Sequence, residues 1–399
     1  MMAGEEVAYA DPHVTDAERA AAGRETVAER SRALLAGNRE RAAARYTGGG
    51  LPDGEEMARV WFRRDPAELR GRLGAEHTAV WADGDVLHVL WQGEAERVLL
   101  GGGVSVPLWP VEDGGDLWEA SVRIRRLDEA VITLLVLAMG AADLMFGRPV
   151  TGQLTWRGPR APGGPDRGTE RGPLAGEIRD HVLDSVALRA PRGVTVYVPP
   201  ADVVTGPLPG CVLADGESAR GFAHVLEQAI VSGAAPPVVL VGIHNARDPQ
   251  GRADLRAQEY LPGVKPRRFA AHLSFVTEEV IPWAAGSLPV IAGGPWISAG
   301  FSNGAAWAIA AAQRRPEVFG GVAGFSAGIV PRRVAGPARG VRHYLAAGTL
   351  EPGFRRATRE WAQRLERAGV PCRHREWAGG HDSFWWEQSL PESLAWLLA

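Results

Sequence analysis

Short apolar runs alternate with longer segments of helical spacing in the second half of the chain, from about residue 175 to the end. A short apolar run between turn signals is typical of a buried strand, whereas apolar residues three and four positions apart form one face of a helix. The predicted strands are Gly193 to Val198, Gly210 to Ala214, Val238 to Ile243, Trp296 to Gly300, Gly320 to Phe325 and His343 to Ala347. The predicted helices are Ala219 to Val231, Phe269 to Ala284, Asn303 to Arg314, Arg355 to Ala368 and Phe384 to Leu398. This alternation predicts an α/β domain over residues 175–399, with a doubly wound, mostly parallel sheet covered by helices on both faces.

The pattern differs over residues 55–147, where apolar runs are short, closely spaced and divided by Asp-Gly and Gly-Gly turns. Examples are Val86 to Trp91, Trp118 to Ile124 and Ala130 to Leu137. Short strands at close spacing are typical of antiparallel all-β domains. We therefore predict a small β-sandwich that precedes the α/β domain.

Two further segments have neither pattern. Residues 1–54 are rich in Ala, Glu and Arg with few large apolar residues, which predicts a helical or disordered N-terminal arm that ends in a cluster of Gly and Pro. Residues 148–174 are rich in Pro, Gly and Arg with no sustained period, and this composition predicts a linker.

Composition excludes several classes of protein. With 399 residues, 45% hydrophobic, 23% charged and a formal net charge of -3, the chain is neither a disordered tail nor a basic nucleic-acid binder. Its longest apolar stretch, around residues 130–139, is about half of the roughly 20 residues that a membrane-spanning helix needs. The N-terminus carries acids where a secretory signal carries a basic segment, so we expect a cytoplasmic protein. No His, Cys and Asp cluster has metal-ligand spacing, and we expect neither a metal nor another cofactor.

The sharpest local signal is Gly300-Phe301-Ser302-Asn303-Gly304, which lies where a predicted strand meets a predicted helix. This is the G-x-S-x-G pattern, in which a tight strand-to-helix turn presents the serine hydroxyl as a nucleophile. The backbone N–H of Asn303 would then stabilise an oxyanion. The alternative is a glycine-rich turn in which Ser302 only caps the helix.

A serine nucleophile needs a general base, and His381 is the best candidate. It stands in Gly379-Gly380-His381-Asp382, a loop between the last predicted strand and the last helix, and it follows Ser302 in the chain order of such enzymes. His343 and His374 fall within strands, so we expect them to be packed or surface residues.

The carboxylate that orients the base is expected after the strand that ends near Ala347. Glu351 is the first carboxylate beyond that strand, between Gly348 and Pro352. Asp382 and Glu376 remain alternatives.

A second oxyanion donor is expected from the loop after the strand Gly210 to Ala214. That loop reads Asp215-Gly216-Glu217-Ser218, and the N–H of Glu217 is the predicted donor. An Asp-Gly turn with Ser218 as a helix cap is the plain alternative, and both can hold together.

Together these segments resemble the enterochelin esterase-like branch of the esterase D superfamily of α/β-hydrolases. The resemblance is carried, in the family's order, by the Ser302 turn and by segments that read Tyr197-Val198-Pro199-Pro200, Leu213-Ala214-Asp215-Gly216-Glu217, Arg256-Ala257-Gln258-Glu259-Tyr260-Leu261-Pro262 and Gly379-Gly380-His381-Asp382-Ser383-Phe384-Trp385. The N-terminal region is similar to that family's immunoglobulin-like domain. Glu351 departs from the family pattern, where Asp is usual, and Asn303 replaces the usual Met or Gln.

The resemblance implies a serine esterase without a cofactor. It implies a small-molecule ester as substrate, with the ester backbone of a catecholate siderophore, free or ferric, as the leading expectation. Acyl transfer, macrocyclisation and hydrolysis of feruloyl or acetyl esters would use the same residues and remain alternatives.

Three side chains are candidate substrate contacts. Arg256 lies in a long loop after a strand and could bind an anionic ligand, although an Arg256–Glu259 pair that braces the loop is the alternative. Trp296 and Trp385 are candidates because they are close in sequence to Ser302 and His381.

Overall fold

The computed structural model describes residues 51, 54–139, 148–164, 171–248, 254–328 and 338–399. These residues form two units, each rich in β-strands. The first unit holds the described residues up to 164 together with Ala378–Asp382. The second holds the described residues from 171 to Trp377 together with Ser383–Ala399. The helical or disordered arm predicted for residues 1–54 lies outside the described residues, except for residues 51 and 54.

The first unit is antiparallel β structure, in agreement with the short, closely spaced apolar runs of its sequence. Its strands are β1 Met57–Val60, β2 Thr78–Asp83, β3 Val86–Gln92, β4 Arg97–Gly102, β5 Val106–Pro110, β6 Leu117–Ile124, β7 Val131–Met139, β8 Arg148–Pro149 and β9 Leu154–Arg157. They follow the order β2-β3-β6-β5-β4-β7-β8, while β1 pairs with β6 and β9 with β7. One short helix, α1 Pro66–Arg72, begins at the cap Asp65. Because β5 pairs with both β4 and β6, the hydrogen bonding is continuous.

The predicted linker needs correction. Strands β8 and β9 lie within residues 148–174, and both pair antiparallel with β7. Val131, Ile132, Thr133 and Leu134 pair with the strand Leu154–Arg157. The high content of Pro, Gly and Arg concealed these short strands, which carry few apolar residues.

The second unit contains the predicted α/β sheet. Its strands are β10 Glu177–Ser185, β11 Ala190–Val198, β12 Gly210–Ala214, β13 Val239–Ile243, β14 Trp296–Phe301, β15 Phe319–Phe325, β16 Arg342–Gly348 and β17 Cys372–Trp377. The order is β10-β11-β13-β12-β14-β15-β16-β17. β11 runs antiparallel to both of its neighbours, and the pairs from β13 to β17 are parallel. The mostly parallel sheet is confirmed, whereas β10 escaped prediction because most of its residues are not buried.

Seven α-helices lie between the strands or after the last strand in the described part of this unit. They are α2 Ala219–Val231, α3 Leu255–Tyr260, α4 Pro266–Ser274, α5 Ile281–Ser287, α6 Asn303–Arg314, α7 Pro352–Arg367 and α8 Ser383–Leu397. A π-helical turn, Phe275–Val280, joins α4 to α5 where the sequence predicted one helix. Pro282 has no N–H to donate to the carbonyl of Glu278, which explains why the α-helical pattern is interrupted there.

Two apolar cores lie on the two faces of this sheet. Val212 and Ala214 of β12 belong to the core that contains Trp307 of α6. Cys211 and Leu213, the alternate residues, belong to the core that contains Phe222 of α2. This alternation places the central strands between two layers of helices, so functional side chains are restricted to strand ends and loops. Within the described ranges, no helix has both the length and the hydropathy needed to cross a bilayer.

Candidate active site

The strand β14 ends in a sharp turn that presents Ser302. Ser302 has φ 56° and ψ -125°, a backbone conformation that residues other than glycine rarely adopt. The helix α6 begins at the next residue. Its N–H donates to the carbonyl of Phe325 at 2.9 Å, and its own carbonyl accepts from Ala305 N–H at 3.1 Å. Its side chain makes no capping hydrogen bond to α6, so the capping alternative does not explain this serine. The strain and the partly exposed side chain fit a nucleophile turn.

Both flanking glycines are required by close backbone packing. A Cβ on Gly300 would lie 2.5 Å from the carbonyl carbon of Gly304. A Cβ on Gly304 would lie 2.9 Å from the carboxylate of Asp215 and 3.0 Å from Cβ of Ala214. The turn is therefore seated against the end of β12, where the predicted oxyanion loop begins.

The loop after β12 is equally tight. Asp215 has φ 59°, and Gly216–Ser218 form one 3₁₀ turn in which Ser218 N–H donates to the carbonyl of Asp215. A Cβ on Gly216 would collide with the carbonyl of Gly242 in β13. The predicted donors, the N–H groups of Asn303 and Glu217, thus belong to two adjacent loops at the carboxyl edge of the parallel pair β12 and β14. Ser218 makes no side-chain cap on α2, so the helix-cap alternative is not observed.

The side chain of Glu217 is directed to the loop after β13. Its carboxylate accepts from the backbone N–H and the Nδ2 of Asn245, at 3.3 Å each, and pairs with Arg247 at 3.5 Å. These contacts all use the carboxylate of Glu217, whereas its predicted role as an oxyanion donor uses its backbone N–H.

Arg256 makes a different ion pair from the one considered in the sequence. Its Nε and Nη2 donate to the two carboxylate oxygens of Asp215 at 2.5 and 2.7 Å, and Nη2 lies 3.5 Å from the carbonyl of Phe301. Glu259 instead receives a bidentate pair from Arg192, with both distances 2.8 Å. Burial would lower the pKa of Arg256, but hydrogen bonds and charge from Asp215 outweigh it and raise that pKa. Arg256 therefore links the predicted oxyanion loop to the residue before Ser302.

Tyr260 completes this arrangement. Its hydroxyl oxygen accepts from the N–H of Asp215 at 2.9 Å, and its ring is fully buried. Sequence reasoning did not assign a role to Asp215 or Tyr260. The signal was present in the segment Arg256-Ala257-Gln258-Glu259-Tyr260, which places the arginine and the tyrosine one helical turn apart on α3.

Glu351 lies where the sequence predicted the acid, between β16 and α7. It is 5% exposed, and its Oε1 accepts from the Ser326 hydroxyl and from Gly348 N–H, each at 2.6 Å. The alternative carboxylate Glu376 is held by Arg355 at 2.8 Å and by Arg359 at 2.5 Å, on the last strand. Of these two carboxylates, Glu351 is the buried one.

His381 and Asp382 lie in the segment Ala378–Asp382, which belongs to the first unit. Within that unit, Oδ2 of Asp382 accepts from the N–H of Thr133 at 2.7 Å and from its hydroxyl. Asp382 thus has a structural role of its own, which weakens it as an alternative acid.

The other two histidines considered above are placed elsewhere. His343 is in the second position of β16, at the edge opposite Glu351, and burial lowers its pKa to about 4. Burial also lowers the pKa of His374 in β17. Neither strand position matches that of a catalytic base.

The pocket prediction for Trp296 is wrong. Trp296 is the first residue of β14, so at about 3.3 Å per residue it lies roughly 20 Å along the strand from Ser302. Its ring is buried and packs on Gly210 at the start of β12. Trp385 of α8 stacks on Trp377, with ring centroids 5.9 Å apart.

The described residues contain no group of three or more His, Cys, Asp or Glu side chains that could hold a metal ion. The second unit contains a strained serine turn, the adjacent tight loop after β12 and a buried carboxylate, all at the carboxyl edge of a mostly parallel sheet. This combination is typical of the α/β-hydrolase fold.

Comparisons with known proteins identify the family within that class. The family described as "Putative esterase" matches residues 185–397, which is more than half of the chain. The chain therefore belongs to this esterase family, and its class is carboxylic ester hydrolase. The enterochelin esterase-like resemblance predicted from the motifs is confirmed by the relatives.

One relative is the iron(III) salmochelin esterase of Escherichia coli O6:H1, 28% identical over 230 residues, which cover 51% of this chain and 53% of that protein. The match thus spans about half the length of the relative. Among solved structures, the enterobactin esterase FES of Shigella flexneri, crystallised with enterobactin, is 20% identical with a TM-score of 0.60. The ferric enterobactin esterase of Salmonella typhimurium is 18% identical with a TM-score of 0.59. Each match covers 81% of this chain and 96% of the chain in the solved structure. At this low identity the likeness shows a shared fold.

Proposed function

We propose that the protein is a serine esterase that hydrolyses carboxylic ester bonds through Ser302, His381 and Glu351. The observation that carries the proposal is the strained Ser302 turn. Ser302 has φ 56° but does not cap its helix, so helix capping does not account for a serine in this strained conformation. The family membership supports the reaction class.

In the proposed reaction, the Ser302 hydroxyl oxygen attacks the ester carbonyl carbon while His381 accepts the hydroxyl proton. The carbonyl oxygen becomes an oxyanion, which accepts hydrogen bonds from the N–H groups of Asn303 and Glu217. His381 then gives the proton to the leaving alcohol as the bond between the carbonyl carbon and the alcohol oxygen breaks, and an acyl-enzyme remains. Water attacks the acyl-enzyme by the same route and releases the acid.

Glu351 orients the imidazole of His381 and stabilises its charged form in this scheme. The buried position of Glu351 supports this role, because a carboxylate away from water acts more strongly on a neighbouring charge. Two hydrogen-bond donors hold the carboxylate in one orientation.

We propose a catecholate siderophore ester, free or iron-bound, as the substrate. The support is the relatives, which are esterases of salmochelin and enterobactin by name. In this proposal the iron is part of the substrate, and the protein acts only on the ester bonds.

The nucleophile is tested with Ser302→Ala, assayed on a p-nitrophenyl ester and on a cyclic catecholate tri-ester. We expect turnover of both to fall by roughly 10³-fold or more with the fold intact. Ser393→Ala is the control, because it also removes a serine hydroxyl, but one that is buried and donates to the carbonyl of Leu390 within α8. Retained hydrolysis in Ser302→Ala would refute the assignment. Mass spectrometry of the products, with and without alcohol or amine acceptors, separates hydrolysis from acyl transfer.

The acid is tested with Glu351→Gln against Asp382→Asn. We expect Glu351→Gln to lower kcat, though less than the serine substitution, and still to react slowly with a fluorophosphonate. Asp382→Asn should change kcat little, since an amide oxygen can still accept both bonds from Thr133. The reverse order of effects would make Asp382 the orienting carboxylate.

A further inference from the structure

A second serine, Ser326, lies at the same strand edge as the nucleophile turn. It follows the last residue of β15 and is fully buried. The preceding residue, Phe325, accepts the hydrogen bond from the N–H of Ser302, and the N–H of Ser326 donates to Ala346 of β16 at 2.7 Å. Ser326 therefore lies between the strand of the nucleophile and the strand that leads to Glu351.

The hydrogen bonds of the Ser326 hydroxyl have only one possible direction. Nε1 of Trp386 lies 2.8 Å from Oγ of Ser326, and an indole N–H can only donate. Oγ therefore accepts from Trp386, and its single proton points to Oε1 of Glu351, 2.6 Å away. Gly348 N–H is a second donor to the same oxygen. The result is a directed chain from the indole through the hydroxyl to the carboxylate.

The backbone of Ser326 indicates that the hydroxyl has a use. Its φ is 54°, in the left-handed region where glycine is strongly favoured over serine. A serine thus occupies a strained position that glycine would adopt more easily, and the two residues differ only in the hydroxymethyl side chain of serine. The side chain has two partners, and one of them is Glu351.

Trp386 connects this chain to the nucleophile turn as well. Its ring stacks on Phe301, the residue before Ser302, with centroids 4.4 Å apart and an angle of 11°. Phe301 in turn stacks on Phe222 of α2 at 5.9 Å. The indole is therefore clamped by packing, which fixes the direction of its N–H.

We propose that Ser326 and Trp386 are positioning residues for the triad acid: Trp386 fixes the Ser326 hydroxyl, and this hydroxyl holds the Glu351 carboxylate. A glutamate has one more rotatable bond than an aspartate, so an additional hydrogen bond helps to keep its carboxylate in one orientation. This inference rests on the proposed function, which assigns Glu351 as the acid.

The experiment measures kcat and KM separately for Ser326→Ala and Ser326→Gly on a p-nitrophenyl ester. Both variants lose the hydroxyl, and the glycine variant also suits the positive φ, so it keeps the test valid if the alanine variant folds poorly. We expect kcat to fall roughly tenfold to hundredfold in both, the rate equivalent of a hydrogen bond to a charged group, with KM nearly unchanged. Trp386→Phe keeps an aromatic ring in the stack but removes the N–H together with part of the indole, and it should cost roughly twofold to tenfold.

Double variants show whether Ser326 acts through Glu351. In a Glu351→Gln background, Ser326→Ala should have little further effect on kcat. In a Ser326→Ala background, Trp386→Phe should lower kcat less than it does in the wild type. Wild-type kcat in folded Ser326→Gly, or full additivity with Glu351→Gln, would overturn the inference while the esterase proposal stands. If Glu351→Gln itself kept wild-type kcat while Ser302→Ala was inactive, the acid assignment and this inference would both fall.

Discussion

Removal of Arg256 tests whether this arginine braces the oxyanion loop or binds substrate. Arg256→Met keeps an apolar stem of similar length and removes both hydrogen bonds to Asp215. The side chain of Asp215 is 7% exposed, and that of Arg256 is 25% exposed. The substitution therefore leaves a buried carboxylate without its cation.

The cost follows from that burial. Breaking a buried pair by removal of one partner costs about 3 to 5 kcal/mol, and the partial exposure of Arg256 places the expected loss of unfolding free energy near 3 kcal/mol. Asn245 Nδ2, at 3.1 Å, still donates to the carboxylate. Asp215→Asn removes the charge and tolerates φ 59°, so the double variant should regain part of the loss.

Activity separates the two roles. If Arg256 braces the loop, Arg256→Met lowers kcat for a neutral p-nitrophenyl ester as much as for an anionic catecholate ester, because the Glu217 N–H is displaced in both cases. If Arg256 binds substrate, KM rises for the anionic ester alone. Steady-state kinetics on both esters measure this difference.

Arg359→Met is the control for stability. Arg359 also pairs with a carboxylate, Glu376, but its side chain is 45% exposed, so its loss should cost about 1 kcal/mol or less. Hydrogen exchange at β12 during urea titration reports on the second unit alone. Equal stability of the two single variants, together with no recovery in the Asp215→Asn double variant, would refute the bracing role.

Two other outcomes follow from the structure. Gly216→Ala should lower kcat at least tenfold, because its Cβ would collide with the Gly242 backbone and displace the loop. Gly286→Ala has open space around the new Cβ and should leave kcat unchanged. Equal kcat in the two variants would contradict this account. Burial lowers the pKa of His272 to about 4 from an ordinary 6.5. As the pH falls, the unfolded chain therefore binds a proton at this histidine before the folded protein does. The wild type should lose up to about 3 kcal/mol of stability through this group as the pH falls from 6.5 to 4. His272→Leu should make that decline shallower, and other groups with a lowered pKa, such as His343 and His374, contribute to the remainder. An unchanged pH dependence of urea unfolding would show that His272 does not contribute.

The local features of this protein were predictable from the sequence. The bounds predicted for α2 and α6 agree with the structure, because apolar residues at helical spacing define a helix locally. The Ser302 turn was predictable for the same reason, since the glycines that allow it lie within two residues of the serine. The order of the segments and their motifs was sufficient to recognise the family.

The partners of the polar side chains were decided by the tertiary structure. Arg256 pairs with Asp215, 41 positions away, and not with its neighbour Glu259. Glu351 is held by Ser326, 25 positions away, which is held in turn by Trp386, 60 positions away. Trp296 is close to Ser302 in sequence but lies at the other end of an extended strand. Hydrophobic periodicity repeats within one element and can be read along the chain, whereas a hydrogen bond forms wherever the folded backbone brings a donor to an acceptor, and that meeting is set by the packing of the sheet and its helices.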